Sequence, residues 1–223
     1  MHPYDISVAE SYQFRFRYYD QFFSLPEASE EYVAIVRDDF TFNLGSFLYQ
    51  MQGVDPSCAY AISHATFCRM RDCRLHFHSP VRILQMFDFA AENNILLEPW
   101  QQLAIWFHNV VYSIEASPDL NEQHSVAFMR ACLPNGLRLS DNPDITRAVH
   151  GIHAIWDVLQ TPVIGAGEIL QDLSLCCLAL QPPAFHNAML CSQQEFCNVY
   201  PIRRYNLRNR KLIDTLLGYD IYR

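Results

Sequence analysis

The side chains of this chain that could do chemistry come in a scattered order: His76 and His78, then His108-Asn109, then Glu122, then His150 and His153, then Asp172 and Glu195. Imidazoles and carboxylates are the groups that hold divalent metals and pass protons near neutral pH. Most of these residues fall at a helix start or inside an apolar helix. His108 and Asn109 stand out most. The run Leu103 to Val111 around them is apolar on every side, and a helix apolar all round sits in the middle of a domain. A buried polar group must find a partner or cost free energy. A hydrogen-bonded core histidine and an amide satisfying a backbone carbonyl are one explanation; a functional pair is the other. His150 and His153 have the i, i+3 spacing that can hold a metal, or that marks a half-exposed helix face. Cys68, Cys73, His76 and His78 have ligand types suited to zinc, but no C-x-x-C pair accompanies them, as structural zinc sites usually require.

Composition bounds what these groups can serve. The 223 residues are half apolar and 18% charged, a globular balance with enough chain for one good core and an appendage. A net charge of -8 argues against non-specific binding to nucleic acid or to a membrane surface. No apolar run reaches transmembrane length. The first residues lack a signal-peptide pattern, so the eight cysteines are expected as reduced thiols in a cytoplasmic setting. One basic stretch runs against the overall charge: Arg203-Arg204, Arg208, Arg210 and Lys211. It reads as a solvated face or as a surface that meets a phosphate or an acidic partner, with Arg210 a candidate anion contact.

The elements that must position these groups read as helix after helix. Ser79-Pro80, Glu98-Pro99, Ser117-Pro118 and Asn142-Pro143 each supply a helix start, proline being tolerated at the first helical position. The central helix is expected to run from Pro99 through His108-Asn109 toward Tyr112. Gly165-Ala166-Gly167 precedes a helix expected to reach Leu180 and to stop at Pro182-Pro183. Two more are expected, over about 184–199 and 201–217. Residues 1–70 read as an N-terminal extension and 71–223 as an all-α domain. Within the extension, Ser29-Glu30-Glu31 begins a helix toward Gln50, and a short helix follows the turn Gly53-Val54-Asp55-Pro56. Tyr12, Phe14, Phe16 and Tyr18 alternate with polar residues, a period of two that suits a short edge strand. They equally suit an aromatic arm lying on the main domain, or a surface for a homodimer or another partner.

Several segments, in order, resemble the predicted metal-dependent HD-superfamily phosphohydrolases of the small all-helical type. Leu75-His76-Phe77-His78-Ser79-Pro80-Val81-Arg82-Ile83 is similar to that family's R-H-Y-H-T-L-E-H-I. Ala104-Ile105-Trp106-Phe107-His108-Asn109-Val110-Val111-Tyr112-Ser113 is similar to A-x-W-F-H-D-V-V-Y-D. Leu120-Asn121-Glu122-Gln123-His124-Ser125-Val126 resembles D-N-E-E-x-S-A, and Asp172-Leu173-Ser174-Leu175 resembles a D-x-D-L helix. Gln193-Gln194-Glu195-Phe196 stands where R-x-E-Y would be, and the segment from Asn209 to Tyr222 resembles the closing motif. The resemblance implies an HD-like helical bundle from about Arg74 onward. It implies His78 as a proton donor and Glu122 as a second catalytic group. It also implies a divalent metal (Mn, Fe, Mg or Zn) at His108 and Asp172, which would lower the pKa of a bound water for attack on phosphorus.

The chain departs from that pattern at the metal. The early ligand position is Arg82, and the HD aspartate is Asn109. Ser113, Leu120 and Gln193 replace further polar residues. A guanidinium cannot ligate and repels a cation; an amide removes a full negative charge. The expectation is a pseudoenzyme that needs no cofactor and binds a phosphorylated, nucleotide-like small molecule or a protein. Arg82, His78, His108 and Asn109 would form the pocket, with Glu195, His150 and Arg210 as further contacts. An internal Arg82–Asp172 ion pair plugging the old site is the blander form of the same reading. The alternative is an active phosphohydrolase that replaces the lost ligands with Glu122, His150 or another group.

Overall fold

The computed structural model describes residues 14–19, 24–51, 54–134, 142–156 and 167–216. Among the described residues there are nine α-helices and no strand: α1 Glu30–Gln50, α2 Pro56–Met70, α3 Pro80–Glu92, α4 Pro99–Phe107, α5 Pro118–Cys132, α6 Pro143–Trp156, α7 Glu168–Ser174, α8 Pro182–Cys197 and α9 Ile202–Leu216. No described helix is long and apolar enough to cross a membrane.

The starts follow from local chemistry. The side chains of Ser29, Asp55 and Ser117 accept from backbone N–H groups in the first turns of α1, α2 and α5, which have no partner within the helix. Glu98 and Gln101 form a reciprocal capping box at the start of α4. Proline sits in the opening positions of α2, α3, α4 and α5.

Two helices share the centre. Every residue of α3 from Pro80 to Ala90 is buried, and α4 is buried along nearly all its length. Trp106 of α4 takes the edge of Phe40 from α1 at 5.1 Å and leans on Phe87 from α3 at 4.5 Å. The same core therefore runs through α1 and α2. The helices read as part of an extension are part of the bundle. α6 reaches α4 because residue 151 is glycine: a Cβ there would stand 2.9 Å from Ala104 Cβ and 2.8 Å from Leu170.

Four expectations need correction. Residues 14–19 form bends and turns instead of an edge strand. No strand lies beside them among the described residues, and side chains bond their backbone: Asp39 accepts from Arg15 N–H (3.0 Å), Asp88 from Tyr19 N–H (2.6 Å), and Gln85 donates to the Tyr18 carbonyl (3.3 Å). The rings of Phe14 and Phe16 pack against the core and Tyr18 is fully buried in it, which is the aromatic-arm role; Tyr12 lies outside the described residues. α4 stops at Phe107, with His108 at its C-terminal cap, so the pair His108-Asn109 caps the helix instead of sitting inside it. The helix expected to reach Leu180 ends at Ser174 and resumes as a 3-10 turn over Cys176–Ala179. The Ser174 carbonyl is taken by the Arg82 guanidinium. Finally, Pro182-Pro183 opens α8 instead of only closing what precedes it. Asp157, Leu159, Gly165, Ala166 and Gly218 lie outside the described residues.

Gly151→Ala tests the close approach of α6 to α4. Alanine favours a helix over glycine by ~1 kcal/mol, yet overpacking of a tight core costs about 1–3 kcal/mol. The expected result in urea denaturation is a net loss of roughly 1 kcal/mol; a net gain would contradict the packing described.

Candidate functional site

Four of the residues singled out by type meet in one place. His78, Arg82, His108 and Asn109 line a single cavity of about 270 Å³. The start of α3 brings the first two and the end of α4 brings the second two. α6 adds Ile155 and Trp156, the 3-10 turn adds Cys177 and Leu178, and α8 and α9 close the remaining sides with Phe185, Met189, Arg208 and Leu212. The wall contains no Asp or Glu among the described residues.

Arg82 is 3% exposed. Its guanidinium donates to Gln85 Oε1 at 2.7 Å, to Cys176 Sγ at 3.2 Å and to the Ser174 carbonyl, and lies over the Phe77 ring at 5.5 Å. These bonds clamp the first turn of α3 to the break between α7 and the 3-10 turn. Burial drives the Cys176 thiol up to about 11, against the pull of the neighbouring guanidinium, so this sulfur meets Arg82 as a neutral group.

His108 is 3% exposed. Its Nδ1 bonds the Ile105 carbonyl at 2.8 Å, which assigns the proton to Nδ1 and leaves Nε2 an acceptor. Burial lowers its pKa to about 3, with Arg82 and His78 pushing the same way. The neutral ring therefore adds no charge to the wall. Trp156 Nε1 donates to the His108 carbonyl at 3.0 Å and fixes the chain there. Asn109, 5% exposed, lines the cavity with a carboxamide that makes no hydrogen bond among the described residues.

His78 is held from behind. Its Nδ1 bonds Glu195 Oε1, and Glu195 Oε2 accepts from the backbone N–H of Phe77 at 2.8 Å and of His78 at 3.0 Å. Burial works to raise the Glu195 carboxyl; the His78 imidazole and the two N–H groups outweigh it and hold the pKa below the ordinary glutamate value. A carboxylate of the protein itself therefore sits at the start of α3. The Tyr112 ring stacks on His78 at 3.8 Å, and Trp156 continues the stack at 5.9 Å. Glu195 thus positions His78 without entering the cavity wall.

The remaining expected site residues stand elsewhere. Glu122 is paired with His153 Nδ1 across α5 and α6. Neither lines the cavity. His150 is exposed, its ring 6.5 Å from that of His153. His76 bonds Ser24 Oγ at 2.7 Å. Asp172 lies half-buried on α7 outside the cavity wall. Arg210 is exposed and off the wall; Arg208 of the same basic stretch is the one that lines it. Sequence reasoning missed three supports. Asn121 clasps Ser113 with two 2.9 Å bonds, and Ser125 bonds both backbone groups of Val111. These hold the segment that follows Asn109. Tyr112 is the third. Their polar types inside a resembled segment were the available signal.

Only His108 of the expected ligands lines the cavity, beside a neutral amide and a guanidinium. Among the described residues no three His, Cys, Asp or Glu side chains converge on a metal-sized point.

Comparison of the chain with protein families, curated proteins and solved structures returns no match.

The buried His108 gives a pH test. Its pKa is about 3 in the folded chain and ~6.5 unfolded, so the unfolded state binds the extra proton between these values. Stability is full above pH 6.5 and falls as pH drops toward 3, by at most about 1.4 kcal/mol per pH unit for one proton. Urea denaturation from pH 7.5 to 5 should show His108→Gln with a shallower fall than the unaltered chain. Parallel slopes would contradict a neutral buried imidazole.

Proposed function

We propose that this chain is a degenerate HD-like protein that binds a small organic anion, with phosphate as the first head group to test, and that metal-assisted hydrolysis is not its activity. The observation that carries the reading is the reversed charge of the cavity. In a chain of net charge -8, the wall holds Arg82 and Arg208, two histidines and Asn109, and no acid among the described residues. A cationic, partly dry cleft concentrates anions and strengthens their interaction. An arginine fork suits phosphate or carboxylate oxygens.

The HD kinship is supported by convergence. Positions 78 and 82 come from one resembled segment, 108 and 109 from another, and Glu195 from a third, and all meet around one cavity. The replacement ligands that an active enzyme would recruit, Glu122 and His150, lie outside that wall, which favours the binding reading.

Isothermal titration with inorganic phosphate tests it. Binding that weakens with salt, and that drops about tenfold in Arg208→Ala, is the expected result; Arg208 is exposed, so folding should survive the change. Binding indifferent to both salt and Arg208 would contradict it. Kinship is tested separately by Arg82→His combined with Asn109→Asp, which should bind stoichiometric Mn²⁺ in equilibrium dialysis where the unaltered chain does not. No gain of metal would count against an HD origin.

A further inference from the structure

The shape and lining of the cavity carry the ligand class further than its charge does. The geometry points to an amphiphilic anion as the occupant: a phosphate or carboxylate head with a short alkyl or aryl body, and not a nucleotide. This rests on the anion-binding reading of the same cavity and narrows it.

Size is the first argument. The 270 Å³ available falls just short of the ~300 Å³ at which sites for drug-sized ligands begin. A head group with a short body matches a cleft of that size.

The distribution of polarity is the second. The start of α3 and the end of α4 contribute the polar groups His78, Arg82, His108 and Asn109. Asn109 is nine-tenths buried and lines the space, so its carboxamide can donate to or accept from a head group. From the other elements the wall is mainly apolar: Ile155, Leu178, Phe185, Met189, Leu212 and Ile213. Phe185 and Met189 are one turn apart on α8 and face the same way. The polar groups on that side are Ser174, Ser192, Arg208 and Asn209, few for the several donors and acceptors of a nucleobase and a ribose. A chain of methylenes asks for none.

Titration calorimetry of the full-length protein decides the matter. The probes are inorganic phosphate, methyl, butyl and hexyl phosphate, hexanoate, 1-hexanol and adenosine monophosphate. Each buried methylene should tighten binding about three- to fourfold, so hexyl phosphate or hexanoate should bind at least tenfold more tightly than methyl phosphate. Adenosine monophosphate should bind no better than inorganic phosphate. Ile213→Gln, a change at a residue 55% exposed that lines the cavity, should flatten the chain-length dependence. Equal affinity for methyl and hexyl phosphate, or tightest binding of adenosine monophosphate, would overturn this inference and leave the anion-binding reading standing. Hexanol binding as tightly as hexyl phosphate would overturn the anion reading beneath it.

Discussion

A guanidinium at the centre of the fold is the constraint around which the site is arranged. Arg82 enters in the first turn of α3, a helix buried on every side, and a cation there opposes the positive end of the helix dipole. A buried charge is costly unless it is well bonded. The fold meets that cost with Gln85 one turn along the same helix, the Ser174 carbonyl and Cys176. Ser174 is the last residue of α7, and its carbonyl, which has no partner within the helix, is taken by the guanidinium. The break turns the chain into the 3-10 segment whose Cys177 and Leu178 line the cavity. One side chain therefore touches a helix end, a turn and a wall.

The opposite charge sits just behind. Glu195 reaches from α8 to the two backbone N–H groups that precede α3 and to the His78 ring. It places negative charge at the helix end where Arg82 is least favourable, and it sets the His78 ring against Tyr112. α8 is thereby tied to the start of α3 by a bonded carboxylate as well as by packing. The two charges are separated by function: the carboxylate is used up on the scaffold, while the guanidinium forms part of the cavity wall. A cavity that faces inward with arginine and amide and outward with glutamate has an interior suited to anions.

The helical character of the chain was legible because its starts are written locally. Ser79-Pro80, Glu98-Pro99 and Ser117-Pro118 need no tertiary information to be read, and all three begin helices. The end of α4 was not legible: Val110, Val111 and Tyr112 continue the apolar run, and only the bonds from Trp156, Asn121 and Ser125 show why the chain turns after Phe107. The arm at 14–19 misled for a similar reason. Its alternation reports one face buried and one exposed, and a segment pinned by Asp39, Gln85 and Asp88 side chains satisfies that pattern without a sheet. Of the site, Arg82, His78, His108 and Asn109 could be chosen from type and position. Glu122, His150 and Arg210 have the same side-chain types but face elsewhere, which no spacing along the chain records.

The most direct test of the central claim is an anomalous diffraction map from crystals grown with both tungstate, a heavy analogue of phosphate, and Mn²⁺. A tungsten peak within bonding distance of Arg82 and Asn109, with no manganese peak at His108, is the predicted result. A manganese peak bound to His108 and Asp172, with the Arg82 side chain displaced from the wall, would contradict it.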